Sequence, residues 1–145
     1  TPEIARDKMK RFILKQIELL LVIIGLACFV ILSGCVTAKQ QMLNDGYKPL
    51  TNEEYISLFS KPVNMRWTTQ SMEQGNVVLS PDKTATISYS GGIDDGTWVA
   101  ENDRLCISWV RLGGGGKQCV TFFKIDENKY RVFEPSGRFF SVNLE

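Results

Sequence analysis

The chemistry open to this chain is limited first by a missing residue type, because it contains no histidine. That removes the Ser-His-Asp and Cys-His forms of nucleophilic catalysis. Four carboxylates, Asp94, Asp95, Glu101 and Asp103, gather at the turns flanking Trp98. Two carboxylates at a fixed separation are the minimum for glycoside hydrolysis. Adjacent Asp94 and Asp95, however, must point in different directions on an extended backbone, so the group reads as turn-forming and solubilising acids. Gly113, Gly114, Gly115 and Gly116 run into Lys117, and backbone amides in such a run can cradle an anion. Here the run joins two candidate strands and opens no helix, so both the phosphate-loop and dinucleotide contexts are missing. A flexible hairpin tip is expected instead, with no catalytic residue and no cofactor.

Cysteine offers more. Of the four cysteines, Cys28 lies inside an apolar run, Cys35 ends it, and Cys106 and Cys119 remain in the rest of the chain. Two thiols in an oxidising compartment suggest one disulfide, and with so few ligands and no imidazole no metal site is expected. Cys106 and Cys119 stand either side of the glycine run, as partners in one hairpin would. Directly opposed residues on neighbouring strands hold their β-carbons about 4.5–5.5 Å apart, feasible for a bridge at a non-hydrogen-bonded pair. Both cysteines fall in β segments rather than at a helix N-terminus, so the bridge reads as structural rather than redox-active.

These residues need a scaffold, and the pattern after Pro62 supplies one. Short apolar or alternating segments recur about every ten residues between turn compositions, giving candidate strands at 65–70, 76–80, 84–90, 96–101, 104–111, 118–125, 129–134 and 138–144. Links this short leave no room for crossover helices. The chain is therefore expected to be mainly β, an antiparallel meander of about eight strands, either a small closed barrel or a strongly curled sheet. Ala85, Ile87 and Tyr89 share one face of their strand, as do Leu105, Ile107 and Trp109, and these should point inward. Phe122-Phe123 and Phe139-Phe140 place large apolar groups on both faces, so part of the outer surface must be covered. Before the strands, Thr51 with Glu54 makes a capping box and Leu50 can staple to Tyr55. A short helix over 52–59 should follow, burying Tyr55, Ile56, Leu58 and Phe59 over one end of the sheet. Residues 36–48 are polar, show no convincing helical stripe and contain Asn44-Asp45-Gly46, so they read as a tether.

Ahead of the tether lies an uncharged apolar run, residues 19–35, preceded by Arg6, Lys8, Lys10, Arg11 and Lys15 against Glu3, Asp7 and Glu18. A net positive leader stays cytoplasmic and puts the downstream chain across the membrane. The run ends in Leu32-Ser33-Gly34-Cys35, which resembles the lipobox of bacterial lipoprotein precursors. The resemblance implies that Ser33 and Gly34 fit a narrow peptidase cleft and that the Cys35 thiol accepts a diacylglycerol group and becomes the new N-terminus. Several acyl chains then anchor the protein, each buried CH₂ contributing about 0.8 kcal/mol. Val36 after the cysteine favours, by the same resemblance, the outer membrane. The other reading is a retained single-pass helix in the inner membrane, since residues 19–38 carry no charge and about twenty residues span the hydrocarbon core. Both readings divide the chain into an anchor at 1–35, a tether at 36–48 and a β domain at 49–145 in the periplasm.

Gly96-x-Trp98, Leu105-Cys106-x-x-Trp109, Cys119 and Pro135-x-Gly137, after a short helix, resemble a family of small secreted bacterial domains without assigned function. That resemblance covers about residues 48–145 and implies a fold but no catalytic residues. Of the 17 Lys and Arg and 16 Asp and Glu, five and three precede the run. The remainder is close to neutral, so no nucleic-acid partner is expected. Three functions remain. One is a non-enzymatic envelope module or accessory subunit of a membrane complex, acting through another envelope or integral membrane protein. Another is a lipocalin-like carrier of a small apolar ligand, in which Trp67, Tyr89, Trp98, Trp109 and Tyr130 line a cavity rather than fill a core. The third is an inhibitor of a cell-wall hydrolase.

The anchor is tested by the intact mass of protein extracted from membranes. Lipidation predicts a chain beginning at Cys35 plus acyl groups, with Cys35→Ser leaving an unprocessed precursor. A retained helix predicts a mass that includes residues 1–34, unchanged by Cys35→Ser beyond the substitution itself; then Gly25, Ala27 and Gly34 offer small side chains for packing against other membrane helices.

Overall fold

The computed structural model describes residues 37–145. The apolar run at 19–35, its lipobox and the lipidation assigned to Cys35 lie outside the described residues. Among the described residues no helix is long and apolar enough to cross a membrane.

Eight strands form a closed barrel in sequence order: β1 Val63–Thr69, β2 Gln74–Leu79, β3 Thr84–Tyr89, β4 Gly92–Glu101, β5 Arg104–Trp109, β6 Lys117–Asp126, β7 Lys129–Phe133 and β8 Phe139–Leu144. Of the two architectures left open by the pattern, closure is therefore the one adopted. It is made by antiparallel pairing of β1 with β8, from Met65 opposite Leu144 to Thr69 opposite Phe140. At this seam the Glu145 N–H donates to the Asn64 carbonyl at 2.9 Å, the Asn64 amide donates to the Glu145 carboxylate at 2.8 Å, and Arg66 pairs with the same carboxylate. Closure leaves no unpaired strand edge.

One end of the barrel is stoppered by helix α2, Asn52–Leu58, where helix α1 is Ala38–Asn44. The capping box is present as expected: the Thr51 hydroxyl accepts from the Glu54 amide, and the Glu54 carboxylate accepts from the Thr51 amide at 2.7 Å. Tyr55 and Phe59, four residues apart and so on one side of the helix, are fully buried. Each contributes about 1.5–3 kcal/mol by leaving water. Phe59 meets Trp98 edge-on at 5.3 Å and Tyr55 meets Phe122 edge-on at 5.6 Å. The Tyr55 hydroxyl also accepts from the Phe122 amide at 2.9 Å. Burial pushes its pKa up to about 12, so the neutral phenol stabilises the fold below the ordinary tyrosine value, and that contribution is lost as pH rises through about 12. Reciprocal bonds between Asn52 and Asp103 tie the helix start to the β4–β5 turn. Ile56 departs from expectation: it is 53% exposed, because the stopper presents only the Tyr55–Phe59 side to the barrel.

Residues 36–48 also depart from expectation. Most of them form α1, whose N-cap Thr37 accepts from the Gln40 amide. The helix lies against the outside of the barrel, where Met42 is buried on Phe123 and Phe133, with Phe139 packed alongside. Phe123, Phe133 and Phe139 stack in series with centroids 5.5 Å apart. The sequence required a cover for these outward aromatics; the cover is a helix with only one large buried apolar residue, too faint a stripe to be read from periodicity.

Cys106 opposes Cys119 in the β5–β6 register, and their sulfurs are at bonding distance, 2.08 Å. Replacing both by Ala is expected to lower stability by about 2–4 kcal/mol, read by urea unfolding. Free-thiol labelling of both positions in native protein would contradict the bridge.

Candidate functional site

Inward side chains alternate with outward ones on every strand, and near the α2 end they fill the interior. Leu79, Leu105 and Val132 are almost wholly inaccessible there. Towards the opposite end no helix among the described residues enters, and the interior opens into a cavity of about 500 Å³, within the range of small-molecule sites. Its floor includes Leu105 and Phe122, the residue that carries Tyr55. Its walls include Met65, Val77, Ile87, Ile107, Val120 and Val142, and its mouth includes Gln70, Glu73, Gln118, Glu134 and Arg138.

The five aromatics singled out from sequence divide between the two ends. Trp67, Tyr89 and Trp109 line the cavity. Trp98 lies under Phe59 at the closed end, its indole N–H donating to the Ser80 carbonyl at 2.8 Å and the Lys83 ammonium 3.7 Å from its ring centroid. Tyr130 packs against Phe122 at 5.8 Å; burial raises its pKa, with the Glu54 charge adding to the effect.

Two glycines make room for the cavity tryptophans. Gly75 sits opposite Trp67 on the neighbouring strand; a β-carbon there would fall 2.4 Å from the indole. Gly96 opposes Trp109 in the same way, with a β-carbon meeting the Ser108 carbonyl at 2.5 Å. Each indole lies across a bare stretch of backbone, which leaves the centre of the barrel free. The Trp67 N–H is buried without a hydrogen-bond partner among the described residues.

Asp94 is not a surface turn residue. It is 3% exposed and its carboxylate accepts from the Leu112 amide at 2.7 Å, the Arg111 amide at 2.9 Å and the Arg111 guanidinium at 3.4 Å. The Leu112 amide leads in holding this carboxyl below the ordinary aspartate value; desolvation opposes, and Arg111 and the Asp95 amide assist. The guanidinium also donates to the Ile93 carbonyl. The start of the glycine loop is thus hung on Asp94, and within the run the Gly114 and Gly115 amides donate to the Arg111 and Leu112 carbonyls. Leu112–Gly114 form a short 3-10 turn, closed by Gly115 at φ 77°, where a β-carbon would also press on the Val110 carbonyl at 3.0 Å.

The other acids are likewise committed. Asp95 points outward and accepts from the Thr86 hydroxyl, Glu101 pairs with Lys117, and Asp103 holds Asn52. Glu101 lies close to both Cys106 and Cys119, but sulfurs joined to each other are not thiolate ligands. Sequence reasoning missed most of the lining, including Met65, Val77, Val120 and Val142. Alternation marked Ile87, Tyr89, Leu105, Ile107 and Trp109 as inward, but nothing local separates cavity wall from packed core.

No family model, no curated protein and no solved structure matches the chain.

A depressed carboxylate pKa contributes stability above the ordinary aspartate value that is lost as pH falls through the folded value. The Asp94 carboxyl carbon is therefore expected to titrate by NMR below the ordinary aspartate value, and the Leu112 amide shift should follow the same midpoint. Asp94→Asn should speed hydrogen exchange at the Arg111 and Leu112 amides while leaving the β2–β3 amides protected; an unchanged loop would sink this account.

Proposed function

We propose that this protein is a non-enzymatic, membrane-anchored barrel of the cell envelope that binds a small apolar molecule in its open end. The observation that carries the reading is the cavity: about 500 Å³, apolar along its walls, closed at the bottom by a dedicated helix and ringed at the mouth by polar side chains. With Met65, Val77, Ile87, Ile107, Val120 and Val142 along its walls, the fitting ligand is an apolar chain or ring system. The carboxylates that invited a hydrolytic reading are engaged elsewhere: Asp94 with the loop after β5, Asp95 with Thr86, Glu101 with Lys117 and Asp103 with Asn52. An interaction module would be favoured by uncovered outward aromatics, and α1 covers those at Phe123, Phe133 and Phe139. Anchoring by Cys35 or by a retained helix is part of the proposal and rests on residues 19–35 as a sequence.

Residues 37–145 contain the eight strands and two helices described above, so ligand binding is tested on that chain. Titrating a long-chain fatty acid should change the fluorescence of Trp67 and Trp109, which line the cavity, and saturate at one molecule per barrel. Ile107→Trp, which fills the cavity, should weaken binding by about tenfold or more, a difference of about 1.4 kcal/mol. Fluorescence that does not respond, or binding indifferent to Ile107→Trp, would count against the cavity.

A further inference from the structure

Among the described residues, exposed large apolar side chains occur on α1 and at both ends of the barrel, and they differ in degree of exposure. The three most exposed large ones are Met72 at 71%, Val110 at 68% and Ile93 at 61%, and all three stand at the mouth end. Met72 is in the β1–β2 turn, Ile93 at the start of β4 and Val110 just after β5, so three of the four mouth loops each present one. Single exposed apolar residues are ordinary, whereas a ring of them around the entrance to an apolar cavity marks a surface that meets something apolar.

A second observation concerns where the chain reaches the barrel. The Lys39 ammonium lies 3.4 Å from the Thr121 hydroxyl, while Pro49, further along, bridges to Phe123. Thr121 precedes Phe123 on β6, which starts at the mouth, so the chain arrives on the mouth side and runs towards the closed end. With α1 docked through Met42, little of the polar stretch at 36–48 is left as a spacer. In sequence the apolar run ends at Cys35, two residues before the N-cap Thr37.

We propose that the mouth of the barrel rests on the lipid bilayer, with Met72, Ile93 and Val110 seated at the boundary between headgroups and acyl chains. The proposal rests on the membrane-anchor reading and adds to it an orientation: the cavity faces the lipid, and its ligand enters from the bilayer without crossing water. The buried Asp94 is paired with Arg111, and Glu134 with Arg138, which spares the contact two uncompensated carboxylates. Glu73, beside Met72, sets a limit on how deeply the rim enters. Interfacial seating of this kind needs apolar side chains over a polar body, not a spanning segment.

The test uses the full chain in nanodiscs of phosphatidylethanolamine and phosphatidylglycerol containing lipid with a nitroxide near the carbonyl end of one acyl chain, read by methyl NMR. The Met72, Ile93 and Val110 methyl signals should lose most of their intensity, while those of Ile56 on α2 and Val99 on the outer wall keep theirs. The Leu112 methyls, in the mouth loop after β5, should be attenuated in the unaltered chain and recover in the triple variant Met72→Ser, Ile93→Ser, Val110→Ser, whose sites are exposed and leave the core intact. Rim methyls that keep their intensity in a chain retained by the disc, or attenuation equal at Ile56, overturn the orientation while the anchor stands. A chain that separates from the disc on gel filtration overturns anchor and orientation together. Attenuation at the rim without fatty-acid binding supports the orientation and removes the cavity reading.

Discussion

The pairing of β1 with β8 is the contact on which the rest of this molecule depends. An open sheet has two faces and buries one against whatever is available; a closed one has an inside of fixed circumference. Once Met65 to Thr69 are held against Phe140 to Leu144, the inward side chains of eight strands must fill that volume or leave it partly empty. They do both, at opposite ends. At the lower end Tyr55 and Phe59 arrive from outside the sheet to complete the packing, and the strands alone would leave a hole there. At the upper end no such element arrives among the described residues, and the cavity is what remains.

The upper end is kept open by specific means. Trp67 and Trp109 are large enough to collapse into the lumen, but each lies across a glycine on the adjacent strand, where a β-carbon would collide with the indole or the backbone. The loop between β5 and β6 could fold over the mouth, being rich in glycine, but the Asp94 carboxylate holds its first amides from below. A buried carboxylate is stable only when its charge is met by donors, and this one is met by two amides and a guanidinium. The loop and the carboxylate therefore fix each other, and the entrance keeps its shape.

The outer surface obeys a different logic. Phe123 faces away from the lumen because its neighbour Phe122 faces inward, and Phe133 and Phe139 join it in one patch. Exposed, such a patch would invite association. Helix α1 covers it with Met42, a flexible side chain suited to an irregular aromatic surface.

By itself the sequence determined what is encoded within a few residues: strand positions in the alternation, turns in their glycine, proline and acid clusters, the start of α2 in Thr51 and Glu54, and the opposition of Cys106 with Cys119 across one hairpin. It also marked inward residues such as Ile87 and Ile107 correctly, because a period of two is a local property. Only the tertiary structure decided between a curled sheet and a closed barrel, since the β1–β8 contact joins residues far apart in sequence and leaves no local trace. The same is true of the split between Trp67 and Trp109 at the cavity and Trp98 in the packed end, of the burial of Asp94, and of α1, whose helix is held by Phe123 and Phe133 more than by its own pattern. Whether an inward side chain is core or cavity wall depends on what lies across the lumen, and the distance across the lumen is set by closure.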